Sequence, residues 1–167
     1  LSDGATPAES SLPGPTDLMD ERTETTSHYG LDTVFLSNSG AEAVENAIKI
    51  CYDDTGGGRY AVTFQGAFHG RTLGALSLNR SKSVYRREFP EVSGVHDAPY
   101  CDDRTCTPET CSCGFFTDGG DTSVLREALD PKTGWIDPSE VAYVIVEPIQ
   151  GEGGYRFPSD AFVDELT

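Results

Sequence analysis

An α/β fold with a mostly parallel sheet is what this 167-residue sequence predicts, and three observations predict it. Short apolar runs recur at 33–37, 60–65 and 141–146. A helix-periodic segment over 41–52 separates the first two, with Ala41, Val44, Ala47, Ile48 and Cys51 on neighbouring turns. The third run, VAYVIV, is near-continuously apolar, the pattern of a strand covered on both faces of a parallel sheet. Strands that alternate with helices pair in parallel.

The elements follow in order. Residues 1–16 are rich in Pro, Gly and Ser and read as loop, and 17–28 has weak helix potential that stops near Tyr29-Gly30. The run 33–37 is expected as a first strand, handing over through Ser37-Asn38-Ser39-Gly40 to the 41–52 helix. Thr55-Gly-Gly-Gly58 is a turn, YAVTFQ at 60–65 a second strand, and Gly66-Ala-Phe-His-Gly70 the loop after it. A short helix is expected over 121–129, with Asp121 or Thr122 as its N-cap. The third strand, 141–146, ends in Glu147-Pro148 and a flexible glycine loop, Gly151-Glu-Gly-Gly154. Pro158-Ser159-Asp160 opens a last helix.

Charge narrows the function classes. The chain carries 28 acidic and 12 basic residues, a formal charge of −16. Such a field disfavours nucleic acid and anionic membrane surfaces as partners. The apolar periodicity argues against disorder. Only Lys49, Lys82 and Lys132 are lysines, against nine arginines. An acid-rich, lysine-poor surface suits concentrated salt, where self-repulsion is screened, and points to a halophilic source; an ordinary acidic cytosolic protein is the alternative. There is neither a membrane-length apolar stretch nor a signal-peptide pattern, so a soluble, cytoplasmic protein is expected. Five cysteines, an odd number, do not suggest a secreted disulfide framework.

Candidate site residues gather after the strands. Ser39 and Glu42 fit the S-x-x-E capping box, and Gly40 lets a ligand approach the helix start, where free N–H groups and the dipole favour an anion. A phosphate is indicated there; the nucleotide fingerprints are absent. A well-capped helix without ligand is the alternative. Phe68-His69-Gly70-Arg71 follows the second strand, where ligand sites of open α/β sheets collect. An aromatic there can cover a planar ring, and an arginine can hold a carboxylate with two hydrogen bonds. Glu147 and Glu152 add carboxylates after the third strand. Cys101, Cys106, Cys111 and Cys113 are spaced C-x4-C-x4-C-x-C, which matches no standard ligand pattern. Reduced thiols in a surface insertion at about 100–120 are the expectation, and a bound metal the alternative.

Three stretches, SNSGAEAVENAIK, GAFHGRTLGALS and VEPIQGEGGY, together resemble the class III (subgroup II) pyridoxal-phosphate aminotransferases, which include the 4-aminobutyrate, acetylornithine and ornithine enzymes. The resemblance spans about residues 31–160. It implies that 31–167 is part of the large cofactor-binding domain of the fold-type I pyridoxal-phosphate-dependent transferase fold, a mostly parallel sheet flanked by helices. It further implies pyridoxal 5′-phosphate as cofactor, with its phosphate on Gly40 and Ala41 after Ser39, Phe68 stacked on the ring and His69 beside it. Glu147 would lie near the cofactor. Arg71 would bind a substrate carboxylate, and Glu152 would pair with a further arginine and switch between amino donor and oxo-acid acceptor.

The implied reaction moves an amino group from an ω-amino acid such as 4-aminobutyrate to 2-oxoglutarate, with acetylornithine or ornithine as the competing donor. A glutamate-1-semialdehyde aminomutase fits less well, because Arg71 follows His-Gly in the aminotransferase manner. A homodimer is implied. The family's Schiff-base lysine is expected beyond Thr167, together with the aspartate that holds the pyridine nitrogen and the small C-terminal domain, so the chain alone is expected to be inactive. A reading of another class is a non-catalytic module that binds phosphate or metal.

Overall fold

A computed structural model describes residues 30, 33–92, 94–102, 104 and 106–167. The expected loop over 1–16 and helix over 17–28 lie outside them. Two compact units are distinguished, Leu1–Asn38 and Ser39–Thr167. In the first, 33–37 forms no strand, contrary to expectation, and Phe35 and Leu36 stand exposed. Apolar alternation is not enough for a strand, which exists only through a hydrogen-bonded ladder.

In the second unit, helix α1 (Gly40–Asp54) leads to strand β1 (Tyr60–Phe64). The short helix α2 (Leu73–Ser77) follows, then β2 (Val95–Ala98). Strands β3 (Phe116–Thr117) and β4 (Thr122–Ser123) pair antiparallel, and α3 (Val124–Ala128) follows directly. Strand β5 (Val141–Val144) and helix α4 (Asp160–Leu166) complete the unit.

The main sheet has the order β2-β1-β5 and is parallel throughout. Central β1 is flanked on both edges, so its residues 61–64 are buried. The run 141–146 departs from expectation. Only Ala142 is buried, and Val144 and Val146 are 45% and 37% exposed, because β5 stands at a sheet edge among the described residues. Pairing also moves the helix start expected at Asp121 or Thr122. Thr122 and Ser123 belong to β4, so α3 begins only at Val124, and Ser123 is its cap, accepting from Arg126 N–H at 3.1 Å.

The core is aromatic. Phe162 of α4 meets Phe64 at 5.2 Å, Tyr100 at 5.1 Å and Phe115 at 4.7 Å between ring centroids. Cys101 and Cys106 are buried in the same cluster. None of the five cysteines is in a disulfide, and the cysteine-bearing segment leads into Phe115 of the core. Among the described residues, no helix is long and apolar enough to cross a membrane.

Candidate active site

The start of α1 and the loop after β1 line one broad cleft of about 610 Å³, formed by Ser39, Gly40, Ala41 and residues 68–72. Ser39 is extended and its Oγ accepts from Glu42 N–H at 3.2 Å, so the serine half of the expected capping box forms. This fixes the first turn with its leading N–H groups unused by the helix ladder. A Cβ placed on Gly40 would meet no atom within 4 Å, so the backbone there is open to a ligand.

Gly70 does the opposite work. At φ 147°, a Cβ would lie 2.8 Å from the Ala41 Cβ and 2.9 Å from the Ala75 Cβ. A bare backbone is therefore what lets the 66–72 loop press against α1. Glu45 locks the same approach from the helix side. Its Oε1 accepts from Thr72 Oγ1 and, at 3.0 Å, from Ala75 N–H, so it caps α2 across thirty residues of sequence.

Within the loop, Phe68, His69 and Gly70 are each held by a hydrogen bond. Phe68 N–H donates to Glu147 Oε1 at 2.7 Å, and its ring packs against Tyr85 in a T-shaped contact at 5.4 Å. His69 N–H donates to Asn79 Oδ1 at 2.6 Å, while Asn79 Nδ2 returns a hydrogen bond to Gly70 O at 2.8 Å. The His69 ring lies 3.4 Å from Thr63 Oγ1, and burial pulls its pKa down to about 4, so the imidazole is neutral at neutral pH. Burial pushes the Glu147 carboxyl up, against the hydrogen bonds from Phe68 and Gly151 N–H. Arg71 is exposed at the cleft and has no hydrogen bond or ion pair among the described residues, which leaves its guanidinium available to an anion.

Two expected members stand aside. Glu147 does not line the cleft; it acts on it through Phe68. Glu152 is paired with Lys82 and with Tyr85 Oη at 2.7 Å rather than with an arginine, and Lys82 holds the Glu152 carboxylate below its ordinary range. Its loop is also less free than its glycines suggest. Gln150 and Arg156 exchange backbone hydrogen bonds at 3.0 and 3.1 Å, and buried Gln150 anchors its Nε2 on Gln65 O. Thr63, Asn79, Glu45, Tyr85 and Gln150 had no local signal in the sequence. Their partners lie far along the chain, apart from the Asn79 and Thr63 contacts within the 63–79 turn itself.

The model of the class-III aminotransferase family matches residues 10–167. This chain belongs to that family. Among curated relatives, it is 38% identical over 137 residues to the acetylornithine aminotransferase of Methanopyrus kandleri, covering 81% of this chain and 28% of that protein. It is 36% identical over 152 residues to the acetylornithine aminotransferase of Methanosarcina mazei, covering 90% and 32% respectively. Among solved structures, it superposes on the lysine aminotransferase of M. tuberculosis with TM-score 0.59 and 27% identity, over 87% of this chain and 35% of that one. The chain thus spans about a third of the length of the curated relatives it matches.

The cofactor of class III aminotransferases is pyridoxal 5′-phosphate, and the residues present fit it. The open backbone at Gly40 suits a phosphate at a helix N-terminus, and the half-buried Phe68 lies in the same cleft.

Proposed function

We propose that residues 31–167 form part of the large cofactor-binding domain of an aminotransferase whose amino donor is N-acetylornithine or ornithine and whose acceptor is 2-oxoglutarate. The observation that carries this is the open cleft in which the α1 N-terminus faces the unpaired Arg71. The relatives named as acetylornithine aminotransferases favour that donor over the 4-aminobutyrate that the sequence first suggests.

The roles follow from the contacts. Ser39 holds the helix start so that Gly40 and Ala41 present N–H groups to the cofactor phosphate. Phe68, fixed by Glu147 from behind and Tyr85 at its side, covers the cofactor ring. His69 stays neutral and serves the loop's geometry through Thr63 and Asn79. Arg71 binds a substrate carboxylate, which both a 2-amino acid donor and 2-oxoglutarate possess. Glu152 is a further carboxylate on the substrate side. When bound, pyridoxal 5′-phosphate supplies the carbonyl that exchanges amino groups and the ring that accepts electron density. The lysine that carries it, and a second subunit in a homodimer, come from outside residues 1–167.

The test is an assay of the complete enzyme with 2-oxoglutarate and, in turn, N-acetylornithine, ornithine and 4-aminobutyrate. The highest kcat/KM is expected with N-acetylornithine or ornithine. Turnover of 4-aminobutyrate alone would overturn the donor, and turnover of none of them would overturn the reading as a whole.

A further inference from the structure

We propose that Cys101, Cys106, Cys111 and Cys113 form a structural zinc site, closed by four thiolates. Their sulfur atoms all lie within 4.8 Å of one another. Cys106 and Cys111 are 3.8 Å apart, and Cys111 and Cys113 are 3.3 Å apart. A tetrahedral ion with Zn–S bonds of about 2.3 Å holds its thiolates about 3.8 Å from one another, so small side-chain movements complete the site. An iron–sulfur cube, whose own sulfides separate the ligands, needs a wider arrangement than this one.

The surroundings are those of a bound ion rather than of four stray thiols. Cys101 and Cys106 are buried, and no disulfide joins any of the four. Cys113 N–H points at Cys106 Sγ at 3.4 Å, and Phe116 N–H at Cys111 Sγ at 3.3 Å. Such N–H donors spread the charge of thiolates and orient them around a metal. Among protonated thiols they would gain little, since sulfur is a weak acceptor. Binding zinc would displace the thiol protons and stabilise all four thiolates together.

The placement shows what the ion would do. Cys101 sits just past the end of β2, in one core with Phe115 and Phe162, and its carbonyl accepts from Ser159 N–H, the cap of α4, at 3.0 Å. The segment between, CDDRTCTPETCSCG, is mostly polar, and the strands that follow it have two residues each. Coordination free energy is what fixes polar segments of this kind in small metal-bound modules. Four sulfur ligands leave no open position, which makes the role structural rather than catalytic. Tetrahedral all-sulfur sets bind zinc or iron–sulfur centres, and sulfur atoms this close together leave no room for a cluster's sulfides, which selects zinc.

The experiment is elemental analysis of the intact enzyme, purified without chelator. Stoichiometric zinc is expected, lost in Cys106→Ser and in Cys111→Ser but retained in Cys51→Ser, whose thiol lies on α1 outside the cluster. A second measurement needs no variant. Wild-type protein stripped of metal and titrated with cobalt(II) should develop thiolate-to-cobalt charge transfer and the intense visible bands of tetrahedral sulfur coordination. It should also release protons as metal is added. Zinc far below stoichiometry together with no cobalt spectrum would overturn the site. So would inorganic sulfide with iron, or a disulfide among these four cysteines in peptide mapping.

Discussion

His69 and Arg71 stand two residues apart and answer opposite demands. Burial keeps the His69 ring neutral, with its pKa pulled down to about 4 from an ordinary 6.5. A depressed histidine pKa means that the folded state resists protonation. Its stabilising effect is therefore fully present above about 6.5 and is lost as pH falls towards about 4. Thermal unfolding midpoints measured across that window should fall more steeply for wild type than for His69→Gln; parallel curves would exclude the effect. Arg71, by contrast, is exposed and unpaired among the described residues, so its charge is available to an anion. Replacing it with Gln should lower kcat/KM about 10- to 100-fold, mostly through KM, as expected when one charge-assisted contact to a carboxylate is lost. A fall in kcat at unchanged KM would place Arg71 in the chemistry instead.

At the scale of elements, capping and packing contribute unequally. Ser39 satisfies one free N–H of α1, so Ser39→Ala should cost about 1 kcal/mol and, on the proposed function, weaken retention of the cofactor phosphate. Phe162 joins α4 to three other aromatic rings, so Phe162→Ala should cost about 3–5 kcal/mol. Calorimetric unfolding of both variants checks the ranking, and cofactor content after dialysis checks the second effect of Ser39. If Ser39→Ala were the more damaging to stability, the helix start would be carrying packing that its exposure does not suggest.

For the whole molecule, the charge of −16 governs behaviour in solution. Repulsion among exposed carboxylates acts over about 10 Å at 0.1 M salt and about 3 Å at 1 M. Ion pairs such as Arg80 with Glu91 and Asp97, or Arg126 with Glu165, relieve only part of it. The unfolding midpoint should rise as potassium chloride is taken from dilute buffer into the molar range, with helical circular dichroism lost first at low salt. A salt-independent midpoint would show that the acidic excess carries no such penalty.

Local rules are what the sequence by itself determined. The Ser39 cap, the helix over α1, the strand β1 and the cap of α4 at Ser159 each depend on neighbours within a few residues, so spacing alone reveals them. The three motifs marked the family for the same reason, since each is contiguous. Long-range pairing decided the rest. Whether 33–37 is a strand, how deeply β5 is buried and where α3 begins all depend on which backbone stands alongside. Glu147 reaches Phe68 across 79 residues, Gln150 reaches Gln65 across 85, and four cysteines in a spacing that matches no pattern converge on one point. Hydrogen bonds and side-chain contacts act over distance in space, and only the folded chain converts distance along the sequence into distance in space.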